Sequence, residues 1–570
     1  MIIRNLRPFA LHESPGFAGF LLEMHLDAEQ RTAMTERLKL WHSNAIPAIK
    51  AFLQTHLGDF LFSVSVDGWT TGATRKAMYC LVLHFLTKDF TQVCLPLDVS
   101  RIHDKTAQGI KEWIRKVLAR YALSFDHLFC LTSDEAAPEQ CATTLIQCFR
   151  VPCVPHRLSN VVKTAFQELG LAAKEDEELA RMPLVEATKS MIKFINNKGA
   201  VRIFFEEKQE EHELRRKNQL YCKTRFIGSL LMGEIFLENR QAVSDVVTKA
   251  SVEDAKPWTE CPEFREENWN RWLDVMTCTC GIGDAVTRMS GAYFATVNCI
   301  LPDVIALRHS LQLSLSRLQD GHLSTEEKAR YLSPEGPRLV MVLVDRFAHY
   351  FEKDLDNPVI LLACFLDPRY RDWGAKSKET LVQGKDESNA AFSRRRALVE
   401  YFRTTWNSVS SKMRECLYAV YKKYFPATFA QDAQVGNWAN SPIIDEANSF
   451  ASQQALTDYS VDWTGPTKEQ PFPPVVTAKT NVLKWWKNCN PQHYWRLHLV
   501  VRAVMAVPGS AVACERIWSS GGRAFTKNRG SLSAETGGKQ VFLHEIMKAQ
   551  ENIQFLAENL IIPGLNKGKK

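Results

Sequence analysis

The sequence lacks the long apolar segments that mark membrane and secreted proteins. No run approaches the roughly 18–20 consecutive apolar residues of a transmembrane helix, and the longest candidates, 339–344 and 359–366, have the length of core segments. The N-terminal stretch, Met-Ile-Ile-Arg-Asn-Leu-Arg-Pro, has no apolar centre of the kind found in signal peptides. We therefore expect an intracellular protein without a membrane anchor.

Paired cysteines are also missing. The chain has 15 cysteines but no Cys-x-x-Cys, and the closest features are Cys278-Thr-Cys280 and Cys153-x-x-His156. A zinc finger needs two ligand pairs at a defined separation, so we predict that a self-contained finger is absent. A disulfide-stapled scaffold is excluded as well, because a chain of this length builds its own apolar cores.

Charge of one sign is in only slight excess. The 570 residues include 71 Lys and Arg against 64 Asp and Glu, a formal charge of +7, which permits nucleic-acid binding without arguing for it. The hydrophobic fraction of 45% and the charged fraction of 24% are ordinary for a soluble globular protein, and they exclude wholesale disorder. The length corresponds to about three or four domains.

Short segments of alternating polarity follow an N-terminal helical region and predict a sheet. Three successive β-rich runs, separated by turn-like stretches, indicate an antiparallel meander. Alternating helices and strands come next, and strand–helix–strand units prefer parallel, right-handed pairing. The predicted strands are 62–66, 77–86, 91–99, 128–132 and 151–154, with helices over 106–122 and 138–149 and a third from His156. The prediction is an α/β fold with a mixed five-stranded sheet flanked by helices, the layout of a ribonuclease-H-like core.

The rest of the chain is predicted to be mainly helical. Helical periods dominate residues 169–430, which are too many for a loop and predict a large all-α insertion in the core. Residues 431–478 are rich in Asn, Ser, Gln and Pro, so we interpret them as a flexible linker. The remaining segments are an N-terminal helical region over 1–58, the first part of the core over 59–168, a helical C-terminal region over 479–560 and a basic tail over 561–570.

Two aspartates follow predicted strands of the core. Asp67 comes after the first strand and Asp134 after the fourth. If these strands are neighbours, both carboxylates emerge at one edge of the sheet, where open α/β sheets place their sites. Carboxylates there can hold a pair of Mg²⁺ ions for phosphodiester chemistry. The alternative for each residue is a turn former or a helix cap.

A third carboxylate, Glu515, is the candidate that would complete such a set. Pro508 is typical of a helix start and the Gly521-Gly522 pair of a helix end, which puts Glu515 in the middle of a predicted helix. Periodicity alone favours a solvated glutamate on an amphipathic helix.

Several motifs occur in an order that resembles the hAT superfamily of DDE-type transposases. The resemblance spans about residues 1–560. It rests on Asp67-Gly-Trp-Thr70, Ser133-Asp134-Glu-Ala-Ala137, Cys153-Val-Pro-His156-Arg-Leu158, Leu366-Asp-Pro-Arg-Tyr370, Trp485-Trp486, and Pro508 to Gly522 with its Glu-Arg-Ile-Trp-Ser element.

The resemblance implies a function and a site. Asp67, Asp134 and Glu515 would be the catalytic triad, would bind Mg²⁺ or Mn²⁺, and would direct water and then a 3′-hydroxyl at DNA phosphodiesters. Residues 169–430 would be the family's helical insertion, and 479–560 would be the dimerisation region that completes the catalytic core. The implied partners are the DNA ends of a transposon and further copies of the chain, as a homodimer or a higher homo-oligomer, and the implied location is the nucleus.

The sequence departs from the family pattern in two places. The family's N-terminal BED-type zinc finger is not found, so we expect either a truncated gene product or loss of the finger. The Thr-Arg-Trp of the family's insertion is replaced by Thr224-Arg225-Phe226. Arg225 and Phe226 are still predicted to contact DNA, because a phenylalanine ring can stack on a base.

Further residues are assigned roles around this site. Arg516, Arg523, Lys527 and Arg529 follow the motif that contains Glu515 and are predicted phosphate contacts, the alternative being a solvated basic helix end and loop. We expect Cys153 and His156 to support Asp134 structurally rather than to form half of a metal site. Trp485 and Trp486 are predicted dimerisation residues, with burial inside the monomer as the alternative.

Three functions are consistent with these motifs. The first is a hAT-like transposase or a domesticated derivative with metal-dependent strand cleavage and transfer. The second is a catalytically inactive, dimerising DNA-associated regulator or scaffold on the same fold. The third, an unrelated ribonuclease-H-like nuclease, is disfavoured by the C-terminal motif.

Overall fold

The protein was analysed as a computed structural model that describes most of the chain. The described residues are 31–70, 77–172, 182–214, 227–279, 281–291, 294–319, 331–370, 389–432, 441–452, 480–489, 492, 494–525, 532–563 and 565. Four of the predicted DNA contacts, Arg225, Phe226, Lys527 and Arg529, lie outside them.

One mixed sheet of five strands forms the centre of the α/β part. The strands are β1 (Phe62–Thr70), β2 (Ala77–Leu86), β3 (Gln92–Arg101), β4 (Leu128–Ser133) and β5 (Phe149–Pro152). Their order is β3-β2-β1-β4-β5. The pairs β1–β2 and β2–β3 are antiparallel, whereas β1–β4 and β4–β5 are parallel. The predicted mixed five-stranded sheet is therefore confirmed.

Four helices lie before, between and directly after the strands in sequence. They are α1 (Arg31–His56), α2 (Ala107–Arg120), α3 (Ala137–Ile146) and α4 (Val154–Glu168). Helix α2 begins where the Thr106 hydroxyl accepts a hydrogen bond from the Gly109 N–H at 3.1 Å, an N-cap of the usual kind. Its apolar face, with Ile110, Ile114 and Val117, is buried, as the helical spacing predicts.

The described residues in the middle of the chain form helices joined by loops. The helices are α5 (Leu184–Asn197), α6 (Gly199–Glu211), α7 (Gly228–Glu238), α8 (Arg240–Val252), α9 (Glu266–Cys278), α10 (Ile282–Met289), α11 (Ile300–Gln319), α12 (Glu335–Phe351), α13 (Pro358–Phe365), α14 (Asn389–Tyr424) and α15 (Pro426–Asp432). Their presence agrees with the predicted helical character, while the limits 169 and 430 of an insertion stay a prediction. Within the ranges given above, no helix combines the length and apolar composition that crossing a bilayer requires.

The predicted linker contains a buried helix. Helix α16 (Pro442–Ser452) presents Ile443, Ile444, Ala447 and Phe450 to the interior, each at most 2% exposed. The linker prediction is therefore wrong for 442–452, because the polar composition hid four apolar residues at helical spacing. Residues 453–479 lie outside the described residues.

The C-terminal helices divide between two apolar cores. They are α17 (Val482–Lys487), α18 (Trp495–Met505), α19 (Val512–Ala524), α20 (Ala534–Asn552) and α21 (Gln554–Asn559). Helices α17 and α18 pack with α4, β5 and the middle helices, whereas α19 to α21 pack with β1 to β3, α1 and α2. The chain passes from one core to the other between Met505 and Val512, directly before Glu515.

Close approach of α20 to the sheet depends on a glycine. A Cβ atom at Gly538 would clash with the backbone carbonyl oxygen of Val99 in β3. The absence of a side chain thus lets α20 lie directly against the edge strand of the sheet, which covers that edge.

Candidate active site

Asp67 and Asp134 lie at the same level on neighbouring strands. In the parallel pair β1–β4, Ser65 is opposite Thr132, and each aspartate stands two residues further along its strand direction. Both carboxylates therefore lie where the carboxyl ends of β1 and β4 meet, as the sequence predicts if these two strands are neighbours. Strand β1 continues to Thr70, so Asp67 lies inside the strand and not after it as predicted, opposite Cys80 of β2.

Asp134 follows β4 directly and also forms a turn. Its Oδ1 accepts a hydrogen bond from the Ala136 N–H at 3.0 Å, just before α3 begins. Its backbone carbonyl accepts a hydrogen bond from Arg150 Nη2 at 2.8 Å. Asp134 is therefore a turn former through its Oδ1, as the alternative interpretation has it. The same side chain also belongs to the group of carboxylates at the ends of β1 and β4.

Glu515 reaches this group of carboxylates from the first turn of α19. The helix begins at Val512, not at Pro508, so Glu515 is near its start and not in its middle as predicted. Cys514, the preceding residue, donates through Sγ to Ser65 Oγ at 3.4 Å. The Pro508 carbonyl accepts a hydrogen bond from Thr132 Oγ1 at 3.0 Å. Ser65 and Thr132, each two residues before one of the aspartates, therefore hold the segment that carries Glu515.

Burial and nearby negative charge raise the pKa values of two of these carboxyl groups, Glu515 and Asp67. Burial and then the charge of Asp134 raise the pKa of Glu515 to about 7. Burial, followed by the charges of Glu515 and Asp134, holds the pKa of Asp67 well above its usual range. A carboxylate in the first turn of a helix would ordinarily be stabilised by the helix dipole, so burial and like charge outweigh that effect for Glu515. No cation is among the causes of the pKa shifts of Asp67 and Glu515.

The chemistry of these donors fits a hard divalent cation. All three are carboxylates, the ligands that Mg²⁺ prefers, and two of them are partly desolvated without a neutralising cation among the causes of their pKa shifts. Across the described ranges, no group of three or more His, Cys, Asp or Glu side chains stands in an arrangement that could hold a metal ion. The three carboxylates thus fit a divalent cation in type and charge, but their side chains are not arranged as a formed metal site.

Neutralising Glu515 is expected to stabilise the metal-free protein in a pH-dependent way. The pKa is about 7 in the folded state against 4.5 as the ordinary value, so the folded protein binds the proton more tightly and loses stability as the pH rises from 4.5 to 7. We expect Glu515→Gln to gain about 2 kcal/mol over the wild type above pH 8 and nothing below pH 4. Urea unfolding of both proteins in EDTA measures this difference, and an equal gain at both pH values would contradict it.

The loop 508–511 is fixed from the sheet side by α4. The Cys153 N–H donates to the Ser133 carbonyl at 2.8 Å, and the Val154 N–H donates to the Gly509 carbonyl at 3.3 Å. The buried Sγ of Cys153 accepts the Ala511 N–H at 3.3 Å. The structure thus brings Cys153 to the loop that precedes Glu515 and to the strand end that precedes Asp134. His156 is half-buried in the first turn of α4.

The same segment is fixed from the opposite side by the middle helices. Ser510 Oγ donates to the Met289 carbonyl at 2.7 Å, and the Gly509 N–H donates to Thr296 Oγ1 at 2.8 Å. Arg516 Nη2 donates to the Ser290 carbonyl at 2.7 Å. Both the sheet and the middle helices therefore position the start of α19.

A buried ion-pair network joins the Asp134 segment to the middle helices. Arg157 Nε donates to Glu135 Oε1 at 2.6 Å, and Arg157 Nη1 donates to the Tyr350 carbonyl at 2.8 Å. The same guanidinium pairs with Asp354. Glu135 is thus paired with a buried cation. Sequence analysis missed this network because the Arg157–Asp354 pair spans 197 residues.

The predicted basic contacts divide into two groups in the described part of the chain. Arg523 is exposed on the last turn of α19, and its Nη2 lies 3.3 Å from Ser520 Oγ. Arg516 is half-buried, with its guanidinium engaged by the Ser290 carbonyl. Arg523 is the residue of this pair that a phosphate can reach directly.

Both predicted dimerisation tryptophans lie in the protein interior. Trp486 is fully buried, stacks on Phe450 with ring centroids 5.2 Å apart, and donates through Nε1 to the Leu366 carbonyl at 2.9 Å. Trp485 is 4% exposed. Neither indole can contact a second copy in this conformation, so the alternative of burial inside the monomer describes them, and the dimer-contact assignment is corrected.

Comparison with known proteins finds related sequences at both ends of the chain. Residues 467–547 match the hAT family C-terminal dimerisation region, and residues 11–137 match the ZMYM1/FAM200, RNase-like domain. The RNase-like match covers β1 to β4 and fits the ribonuclease-H-like order of the sheet.

A full-length relative connects these two ends. Over 565 residues the chain is 19% identical to a Zea mays protein named as an AC transposase, a match that covers 94% of this chain and 62% of that protein. The chain therefore spans less than two thirds of the length of this curated relative. With a match to the hAT family C-terminal dimerisation region near one end and a transposase as a relative over nearly the whole chain, the protein is similar to the hAT family of transposases.

Proposed function

We propose that this protein is a hAT-type DNA transposase that cleaves and joins DNA strands with Asp67, Asp134 and Glu515 and with Mg²⁺ or Mn²⁺ as the cofactor. The observation that carries the proposal is the electrostatic coupling of these three carboxylates, two of which have raised pKa values from burial and mutual repulsion. Ordinary structural carboxylates are paired with cations, as Glu135 is with Arg157.

Each carboxylate has a role in this proposal. Asp67 and Glu515 approach from the sheet and from α19 and would hold the cation between them, with Asp134 completing the set at the end of β4. Bound cations of this kind activate the attacking oxygen and stabilise the leaving oxygen of a phosphodiester. Because ligands must be ionised to bind a metal, Glu515 would release its proton on binding.

Basic side chains after Glu515 would bind DNA, and the C-terminal region would bind a second copy of the chain. The exposed Arg523 guanidinium at the end of α19 would contact a backbone phosphate, and Lys527 and Arg529 follow it in sequence. The C-terminal dimerisation region supports a homodimer, in which two active sites would act on two transposon ends. Such an enzyme would work in the nucleus.

Metal removal tests the proposal most directly. Purified protein is incubated with duplex DNA that carries the terminal inverted repeats flanking the coding sequence, in Mg²⁺, in Mn²⁺, in Ca²⁺ and in EDTA. We expect strand cleavage in Mg²⁺ and Mn²⁺ but not in EDTA, and recovery when Mg²⁺ is added back, because the carboxylates alone cannot offset the developing charge. DNA binding in Ca²⁺ without cleavage under any condition would overturn the enzyme proposal and favour the inactive, dimerising DNA-associated protein.

A further inference from the structure

Trp518 links the helix of Glu515 to the side chain of Asp67. It lies three residues after Glu515 on α19, and residues at this spacing share a face of a helix. Its indole is 7% exposed, and Nε1 donates to Asp67 Oδ2 at 2.9 Å. The contact joins residues 451 positions apart in the chain, so it exists only in the folded site.

The orientation of this indole is fixed by aromatic packing. Trp518 stacks on Trp69, with ring centroids 5.6 Å apart and an interplanar angle of 21°, and Phe525 packs against the same Trp69 at 6.2 Å. Gly521 lies beside the Trp69 ring, where a Cβ atom would be at a contact distance of 3.4 Å. The stack of the two indoles holds the Trp518 N–H in one direction.

A second tryptophan makes a superficially similar contact that differs in its electrostatics. Trp113 Nε1 donates to Asp98 Oδ2 at 3.2 Å, and Asp98 is also paired with Arg120 at 3.0 Å. The charge of Asp98 is thus neutralised within the fold, which makes this contact structural. Asp67, in contrast, faces two further carboxylates, and its hydrogen bonds come from neutral donors, the Trp518 indole and the Gly68 backbone N–H. These donors orient the carboxylate without cancelling its charge.

We infer that Trp518 is a positioning residue that holds Asp67 Oδ2 and so orients this carboxylate for the cation of the proposed function. The inference rests on the proposed function and adds a residue to it. An indole N–H can donate but cannot accept or coordinate, so Trp518 can fix the carboxylate without competing for the cation. Partners of this kind behind metal ligands are worth about 10–100-fold in metal affinity or activity.

The test compares Trp518→Phe with Trp113→Phe, because both variants lose an indole donor to an aspartate and keep an aromatic ring. Each protein is labelled with 5-fluorotryptophan, and Mn²⁺ is titrated while the ¹⁹F resonance of Trp69 is followed. We expect the Mn²⁺ concentration for half-maximal broadening to rise about tenfold in Trp518→Phe and to be unchanged in Trp113→Phe. The Mg²⁺ concentration for half-maximal DNA cleavage should rise in parallel.

The outcomes separate this inference from the proposed function. If Trp518→Phe and Trp113→Phe bind Mn²⁺ as the wild type does, Trp518 is a packing residue and the inference is overturned while the metal site stands. If the wild type itself shows no Mn²⁺ broadening of Trp69, the proposed metal site fails and the inference fails with it. The melting temperatures of both variants serve as the folding control, because a structural role alone would lower them without moving the metal midpoint.

Discussion

Replacing Glu515 by glutamine is expected to reduce the rate of Mg²⁺-dependent strand cleavage about a thousandfold. The substitution keeps the shape of the side chain and removes one anionic oxygen donor from the set that would hold the cation. Metal-assisted charge stabilisation supplies several kcal/mol to phosphoryl transfer, and a loss of about 4 kcal/mol corresponds to three powers of ten in rate. Single-turnover cleavage of a labelled DNA end measures the effect without interference from product release.

Glu545→Gln is the matched control for this prediction. Glu545 is a buried glutamate on α20, 8% exposed, and it lies outside the three-carboxylate edge. The same substitution at this position is expected to change the cleavage rate less than about twofold, because the carboxylate that is removed lies away from the reacting atoms. A Glu515→Gln protein that cleaves DNA as fast as Glu545→Gln would remove Glu515 from the catalytic set.

Replacing Arg157 by methionine is expected to lower the free energy of unfolding by about 3–5 kcal/mol, because it leaves two carboxylates without their cation. Arg157 is 9% exposed and lies between Glu135 and Asp354, whose own exposure is 6%. Burial already raises the pKa of Asp354 while Arg157 lowers it, so loss of the guanidinium leaves a desolvated negative charge. Urea unfolding followed by circular dichroism measures the loss.

An exposed ion pair of the same chemistry provides the comparison. Arg115 pairs with Glu112 at 2.8 Å on the surface of α2, and Arg115→Met is expected to cost about 0.5 kcal/mol or less. Adding Glu135→Gln and Asp354→Asn to Arg157→Met should recover part of the lost stability, since the unpaired charges are then removed. Equal unfolding free energies for the Arg157 and Arg115 variants would contradict the buried network.

Local patterns were sufficient to predict the sheet and the two aspartates. Period-two segments located the strands, and strand–helix–strand units favoured parallel pairing. That β4 lies beside β1 was only a condition of the sequence argument, and the strand order of the structure meets it. That adjacency brings Asp67 and Asp134 to one edge, in register through Ser65 and Thr132. The length of β1 was underestimated because the motif Asp-Gly-Trp-Thr was treated as a turn, although its glycine lies against the Tyr79 ring of β2.

Long-range contacts explain what local patterns missed. Pro508 is a usual helix start, but its carbonyl is bound by Thr132 and the loop after it is held by Cys153 and Thr296, so α19 begins later. None of these partners is near in sequence. The role of Trp518 is only weakly indicated by the local sequence. It stands one helical turn after Glu515, and a buried indole N–H needs a hydrogen-bond acceptor. Which partner it finds depends on β1, at the other end of the chain.

The three carboxylates are also separated in time during translation, because Glu515 is synthesised long after Asp67 and Asp134. Asp134 precedes Glu515 by 515 − 134 = 381 residues, which a ribosome translates in roughly 20–80 s at about 5–20 residues per second. During that time the chain carries two of the three carboxylates, and the sheet still lacks helices α19 to α21, which pack against it in the same core. A nascent or prematurely terminated chain therefore lacks the complete set of carboxylates, so the proposed DNA-cutting activity would appear only in a fully translated protein.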